Sequence, residues 1–255
     1  MEAVVELKHI SMNYHEPDSE TQAIKDISFS VYDGEFVSII GPSGCGKSTL
    51  LSVISNLLRP SSGEILIKGR PIEEATASLG YMLQKDHLFE WRTILQNVTL
   101  GLEIQNKKTP ENVTYVKELL NKYGLGEFMK YRPSQLSGGM RQRAALIRTL
   151  AIKPEILLLD EPFSALDYQT RLYVADEIAT IIRQEKKTAI LVTHDISEAV
   201  SISDRVIVLT KRPASIGKIY DIELTAENKS PMKAREAPEF RLYFNDIWKE
   251  LDVHG

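Results

Sequence analysis

Nine consecutive residues, Gly41-Pro42-Ser43-Gly44-Cys45-Gly46-Lys47-Ser48-Thr49, constrain this chain more than any others. They fill the pattern G-x-x-x-x-G-K-[ST], the P-loop pattern, in full. The glycines let the backbone curl so that successive N–H groups point inward and form a concave anion site. Lys47 would set a positive charge between β- and γ-phosphates, and Ser48 would offer a hydroxyl to Mg2+. The flanks agree. Phe36 to Ile40 is a short apolar run suited to a buried strand, and Leu50 to Ile54 opens a helix whose N-terminal dipole would face the phosphates. A glycine-rich turn with a chance lysine is the alternative, and the strand and helix on either side count against it. The chain is read as nucleotide-binding.

Bulk properties narrow the classes. Thirty-one basic against 35 acidic residues leave a net charge of −4, so no global basic field argues for nucleic acid. No apolar run approaches the roughly 18–20 residues of a membrane span. Met1-Glu2-Ala3-Val4 lacks the basic and apolar regions of a signal peptide. Cys45 is the only cysteine, so no internal disulfide is possible, which suits a reducing cytosol. It lies beside Lys47 and just before a helix N-terminus, and both features would lower its thiol pKa and raise its reactivity. No chemistry here needs a thiol. The expectation is a soluble cytoplasmic protein that meets a membrane only through a partner.

In chain order, Val5, Leu7 and His9 alternate with Glu6, Lys8 and Ile10, and Ile27, Phe29 and Val31 alternate before the Asp33-Gly34 turn. The polar stretch from His15 to Thr21, with Pro17, reads as a loop between two strands. Tyr14 reads from the residues alone as an ordinary edge-strand aromatic. Glu64 to Lys68 and Leu79 to Leu83 read as strands, the second ending at Gln84. From there the pattern turns helical. Ile94, Val98 and Leu102 predict one helix over 93–103, and Thr109-Pro110 predicts an N-cap and first turn of a helix ending near Gly124.

Leu136-Ser137-Gly138-Gly139 then leads into a helix ended by Pro154; Ser137 is either a second phosphate cradle or a plain N-cap. Ile156 to Leu159 run into Asp160 and Glu161, as a buried parallel strand with carboxylates at its C-terminal end would. Asp160 suits Mg2+, and Glu161 is placed to orient and deprotonate an attacking water. Adjacent acids also cap helices, a reading that the complete P-loop upstream disfavours. A long helix spans about 169–183. Thr188 to Thr193 is the next strand, with His194 at its end. Strands are expected at 205–210 and 216–224, then a polar stretch up to Glu239. An amphipathic helix carrying Phe240, Phe244, Ile247, Trp248 and Leu251 closes the chain.

Together these motifs resemble the ATP-binding subunits of ABC transporters along essentially the whole length. The P-loop, a Q-loop glutamine at Gln84, the Leu136-Ser137-Gly138-Gly139 signature, the acidic strand ending at Asp160-Glu161, a D-loop at Ser164 to Asp167 and a switch histidine at His194 stand in the family's order. The signature separates this family from other P-loop enzymes. The resemblance implies an α/β fold, a P-loop NTPase core with an N-terminal antiparallel β region and a helical subdomain insertion. One domain would cover 1–255, with the core at about 1–84 and 154–225, the insertion at about 85–153 and a C-terminal helix at about 239–251.

The resemblance also implies ATP and Mg2+. Gly41, Pro42, Ser43, Gly44, Cys45, Gly46, Lys47, Ser48 and Thr49 would hold the phosphates, and Tyr14 would stack on adenine. Ser48, Gln84 and Asp160 would serve the metal. Glu161, His194, Gln84 and Lys47 would serve catalysis. Ser137, Gly138 and Gly139 would act in trans, on ATP bound by a second copy packed head to tail, and Asp167 would cross the interface between the copies. Membrane permease subunits, and indirectly an extracytoplasmic binding protein, complete the expected assembly on the inner membrane face, without nucleic acid. The Leu88-Phe89-Glu90-Trp91-Arg92-Thr93 stretch and Lys211-Arg212-Pro213 are similar to the nitrate, sulfonate and taurine importer group, while Glu90 and Ala214-Ser215 depart from it. Trp91 reads equally as core or as an anchor for the permease. The competing reading is an ABC ATPase serving cell-envelope or lipoprotein machinery. DNA-acting relatives need a long heptad region that is missing here, and translation factors of the family carry two such domains in one chain.

Overall fold

The computed structural model describes residues 2–16, 19–225 and 230–254. The chain opens with a long hairpin, β1 (Ala3–Glu16) against β2 (Ser19–Tyr32), with Leu7 opposite Phe29 and Tyr14 opposite Thr21. Val5 and Leu7 are buried as the alternation predicts, but His9 is not on their face. It adopts a left-handed φ of 54°, and the register shifts between Leu7 and Ile10. This bulge returns Ile10, fully buried, to the core and leaves His9 outside, bonded to Asp26 at 2.8 Å. The loop expected over 15–21 is largely strand. His15 pairs with Glu20 and Glu16 with Ser19, because backbone pairing at an exposed edge tolerates polar side chains; Asn13 Nδ2 donates to Glu20 at 2.6 Å. Pro17 lies outside the described residues.

After the turn, β3 (Phe36–Ile40), buried at every position, runs into the P-loop and α1 (Lys47–Ile54). β4 (Ser62–Ile67) and β5 (Arg70–Pro71) return to the hairpin and complete a four-stranded sheet in the order β2-β1-β4-β5. α2 (Ile72–Ala75) leads to β6 (Leu79–Met82).

The helical stretch contains α3 (Ile94–Val98), α4 (Leu100–Ile104), α5 (Pro110–Lys122) and α6 (Gly138–Leu150). The single helix expected over 93–103 is therefore two. Its start is fixed by a capping box between Thr93 and Gln96, and it breaks at Thr99, whose hydroxyl bonds back to Leu95 O at 2.8 Å. Thr109 caps α5 and Ser137 caps α6. These helices share one core with the sheet: Val98, Val116 and Leu150 belong to the same buried cluster as Leu157, Leu159 and Leu191.

β7 (Ile156–Asp160), α7 (Tyr168–Gln184), β8 (Thr188–Val192), α8 (Ile196–Ile202), β9 (Arg205–Leu209) and β10 (Ile216–Asp221) complete the α/β core. β10 stops short of the expected 224. α9 (Pro231–Ala234) lies in the stretch read only as polar, its proline at the first turn, and α10 (Pro238–His254) packs Phe240, Phe244 and Ile247 against the β9 side of the core. The second sheet runs β10-β9-β3-β8-β7-β6, parallel except for β10. Its C-terminal edge therefore gathers the ends of β3, β8, β7 and β6 side by side, where ligands of open α/β sheets bind. Gly41, Thr193, Asp160 and Leu83 follow or end those strands. Among the described residues, no helix is long and apolar enough to cross a membrane.

Candidate functional site

The P-loop is shaped by two glycines with positive φ, Gly44 at 72° and Gly46 at 126°. A Cβ at Gly46 would also come within 3.1 Å of the Ala23 carbonyl, so only glycine suits that position. Lys47 is 6 % exposed and donates to the Gly41 and Pro42 carbonyls at 2.9 and 3.0 Å. Its charge is thus held inside the curl of the loop. Cys45 differs from expectation. It is buried beneath the loop, and burial pushes its thiol up, against the lowering effect of Lys47. Neighbouring positive charge alone does not make a reactive cysteine where desolvation is the larger effect.

Ser48 Oγ donates to Asp160 Oδ1 at 3.1 Å, and Tyr81 OH donates to Asp160 Oδ2 at 3.2 Å. Burial raises the Asp160 pKa, and these two donors oppose the rise. Burial and the Asp160 charge push the Tyr81 phenol well above its usual range, so it remains a donor. Tyr81 was not singled out in the sequence; its signal was only the step from an apolar strand to Gln84.

Glu161 has a left-handed φ of 44°, and its N–H bonds to Val192 O at 2.9 Å. Its Oε2 lies 3.1 Å from His194 Nδ1 and 3.5 Å from Gln84 Nε2. Gln84 Nε2 also donates to Ser164 Oγ at 3.2 Å, and that hydroxyl donates to the Glu161 carbonyl at 2.9 Å. The residues on either side of His194 are tied to α8: Thr193 Oγ1 donates to Glu198 at 2.7 Å, while Asp195 caps α8 through Ser197 and Glu198 N–H groups.

Tyr14 OH lies 3.2 Å from Thr49 Oγ1, with 39 % of the residue exposed. The aromatic thus stands beside the first turn of α1, partly open to solvent. A cavity of about 230 Å³ is lined by Ser43, Gly44, Lys47, Ser48, Glu161 and Arg212, and Thr49 also borders it. Arg212 is a second residue that sequence reasoning left without a site role. A larger cavity, about 490 Å³, lies between α10 and the α7–α8 region and also includes His194. The smaller one brings the P-loop, Ser48 and Glu161 together.

The signature residues stand apart. Ser137 Oγ accepts the Met140 N–H at 3.4 Å, and Cβ atoms at Gly138 and Gly139 would fall 3.0 Å from Leu166 and 2.8 Å from Val174. The two glycines thus let α6 approach α7 and the D-loop segment closely. Among the described residues, no hydrogen bond joins Ser137, Gly138 or Gly139 to the P-loop. Asp167 caps α7 through Thr170 N–H at 3.1 Å.

α6 also grips the segment after Gln84. Arg141 donates to Asp86 at 2.9 and 3.2 Å and pairs with Glu90 at 3.1 Å, while Arg148 donates to the Asp86 and His87 carbonyls, both at 2.7 Å. Burial pushes the Asp86 carboxyl up, but the Arg141 hydrogen bonds override it and hold it below the ordinary value. Trp91, 70 % exposed, stacks on Phe89 at 4.7 Å, which removes the core reading.

Residues 24–164 match the ABC transporter family. The chain is 46 % identical over 244 residues to the uncharacterized ABC transporter ATP-binding protein YtlC of Bacillus subtilis, covering 96 % of this chain and 94 % of that one. It is 38 % identical over 252 residues to the aliphatic sulfonates import ATP-binding protein SsuB of Bacillus cereus, covering 98 % and 97 %. The dimeric ATP-binding cassette MJ0796, solved in a post-hydrolysis state with ADP and Pi, superposes with a TM-score of 0.73 at 31 % identity, over 86 % of this chain and 99 % of that one. On the strength of these similarities along nearly its entire length, the protein belongs to the ABC transporter family, as one of its ATP-binding subunits.

Proposed function

We propose that this ATPase powers solute uptake through a separate membrane permease, with a small anion such as nitrate, sulfonate or taurine as the cargo. The observation that carries the catalytic part is the meeting of Ser48, Asp160, Glu161, Gln84 and His194 above the Lys47 cradle, at one sheet edge. In this reading Lys47 exchanges its two carbonyl partners for phosphate oxygens, while backbone N–H groups of the loop from Ser43 to Thr49 line the cradle and Tyr14 stacks on adenine. Glu161 orients an attacking water and takes its proton. His194, bonded to Glu161, keeps that carboxylate aimed.

Ser48, Asp160 and Gln84 are the residues that would hold Mg2+, which when bound supplies positive charge against the phosphates. The donor set fits. One carboxylate and one hydroxyl already face each other at 3.1 Å, and among the described residues no trio of His, Cys, Asp or Glu offers a dedicated metal cage. That suits a hard cation taking its other oxygens from phosphate and water.

A second copy, packed head to tail, would bring its Ser137, Gly138 and Gly139 over this ATP. The MJ0796 cassette, dimeric and bound to ADP and Pi, supports self-association of such a subunit. Import is supported by the SsuB relative, and a permease contact by the exposed Trp91 beside the Q-loop segment. The subunit would sit peripherally on the inner membrane face, receiving cargo indirectly from an extracytoplasmic binding protein.

Glu161→Gln tests the catalytic part. It should keep ATP affinity, lose turnover, and elute as a dimer with ATP in size-exclusion chromatography. An active or strictly monomeric variant would reject the assignment. Import is tested separately, by identifying the membrane protein that co-purifies with the native chain. A permease with a large extracytoplasmic domain, and no associated binding protein, would overturn it.

A further inference from the structure

We infer that Arg212 is a second phosphate-binding cation of the nucleotide site, delivered to the P-loop by the loop after β9. The inference rests on the nucleotide reading above and extends it to a residue outside the P-loop, Gln84, the acidic strand and His194.

The loop is held in place. Thr210 N–H bonds to Ser215 O at 2.9 Å, and the two hydroxyls meet at 3.0 Å, closing residues 210–215 on themselves. Ala214 then stitches the loop to β2, its N–H to Ala23 O at 2.9 Å and its carbonyl accepting Lys25 N–H at 2.8 Å. The Cβ of Ala214 would stand 3.7 Å from a Cβ on Gly46, so this loop also backs the P-loop itself. A side chain on it has a defined position relative to the cradle.

That side chain reaches the cradle. Arg212 Nη2 donates to Gly44 O at 2.9 Å, and Arg212 lines the same cavity of about 230 Å³ as Lys47, Ser48 and Glu161. Its positive charge is felt at Cys45, beneath the loop. A guanidinium has five N–H donors, and among the described residues Arg212 spends one of them, on a neutral carbonyl, with no paired carboxylate. Lys47 likewise rests on carbonyls of the loop. Phosphate oxygens are stronger acceptors than a peptide carbonyl, and the planar guanidinium fork matches them. Both cations are thus placed to trade carbonyl oxygens for phosphate when nucleotide enters. Lys47 would serve from inside the curl, and Arg212 from its exposed rim.

The alternative is that Arg212 only braces the Gly44 carbonyl. Arg212→Gln separates the two, because it keeps an N–H donor and removes the charge. Binding of a fluorescent ATP analogue is measured on full-length wild type, Arg212→Gln and Arg212→Lys at two salt concentrations, beside the nucleotide-free melting temperature. The expected result is binding about tenfold weaker in Arg212→Gln with a shallower salt dependence, most of it recovered in Arg212→Lys, at unchanged melting temperature. Wild-type affinity in Arg212→Gln would overturn the inference, as would a loss that tracks a lower melting temperature and is not recovered by lysine. Lys47→Ala in the same assay keeps the two readings distinct. If it still binds nucleotide, the site assignment fails; if it does not and Arg212→Gln is unaffected, only the role of Arg212 fails.

Discussion

His194 Nδ1 stands 3.1 Å from Glu161 Oε2, across the seam where β8 ends beside β7. Glu161 makes this contact from a left-handed backbone, φ 44°, a conformation costing about 1–3 kcal/mol that surrounding structure must hold. The Glu161 N–H bond to Val192 O and the Ser164 bond to the Glu161 carbonyl do so. If His194 works by aiming this carboxylate, its loss should strike the chemical step. His194→Ala is expected to lower kcat for ATP about 100-fold or more, with KM changed less than about threefold. Steady-state ATPase kinetics check this, and a dominant rise in KM would place His194 in binding.

Trp91 gives a cleaner separation of stability from coupling. With 70 % of the residue exposed, truncation removes little buried surface and should move the melting temperature by no more than a degree or two. Isolated ATPase activity should also stay near wild type. Transport, or permease-stimulated turnover in the assembled complex, should fall sharply, since exposed tryptophan flanked by arginine is the composition of an interface anchor. Phe89, stacked beneath it at 4.7 Å, is the residue whose loss should soften the anchor without abolishing it. Full transport in Trp91→Ala would remove this docking role.

The candidate site was legible in the sequence where its residues are consecutive. The P-loop from Gly41 to Thr49 and the Asp160-Glu161 pair announce themselves because short backbone runs deliver the chemistry. Buried parallel strands were equally plain, since β3, β7 and β8 read as short, mainly apolar runs. What stayed hidden depends on partners distant in the chain. Arg212 reaches Gly44 across 168 residues, and Tyr81 reaches Asp160 across 79. The bulge at His9 was hidden too, because strict alternation gives no sign that a residue has been inserted on one strand. The Cys45 pKa went the other way from expectation because neighbours in sequence reveal charge but not burial.

The grip of α6 on the Q-loop segment carries a pH signature. Asp86 is held below its ordinary value of 3.8, so its contribution to stability is present above that value and is lost as pH falls through the lower, folded one. Asp86→Asn should therefore lower stability at pH 7 by about 1.5–3 kcal/mol, the range for hydrogen bonds to charged groups. As the pH drops well below 3.8 the variant and wild type should converge. Urea denaturation of nucleotide-free protein at neutral and acid pH measures both. A constant gap between the two proteins at all pH values would mean that the loss is one of packing and not of the Arg141 pairing.

Cys45 offers a test of loop integrity. Its thiol is 2 % exposed and pushed up from an ordinary value of 9.0 by burial. At pH 7 the thiolate fraction is small and the sulfur is covered, so maleimide should label native protein at least about 100-fold more slowly than urea-unfolded protein. Labelling must then pass through an opening of the P-loop. On the proposed reading nucleotide binds the closed loop, so Mg-ATP should slow the reaction further, in proportion to its saturation. The pH sign is also fixed. A raised acid pKa in the fold disfavours the thiolate, so stability falls as pH climbs through 9.0, and Cys45→Ala should lose that alkaline decline. Time-resolved labelling followed by mass spectrometry, with and without Mg-ATP, decides the matter. Native labelling as fast as in urea, or indifference to nucleotide, would show that Cys45 does not lie beneath a phosphate-binding loop.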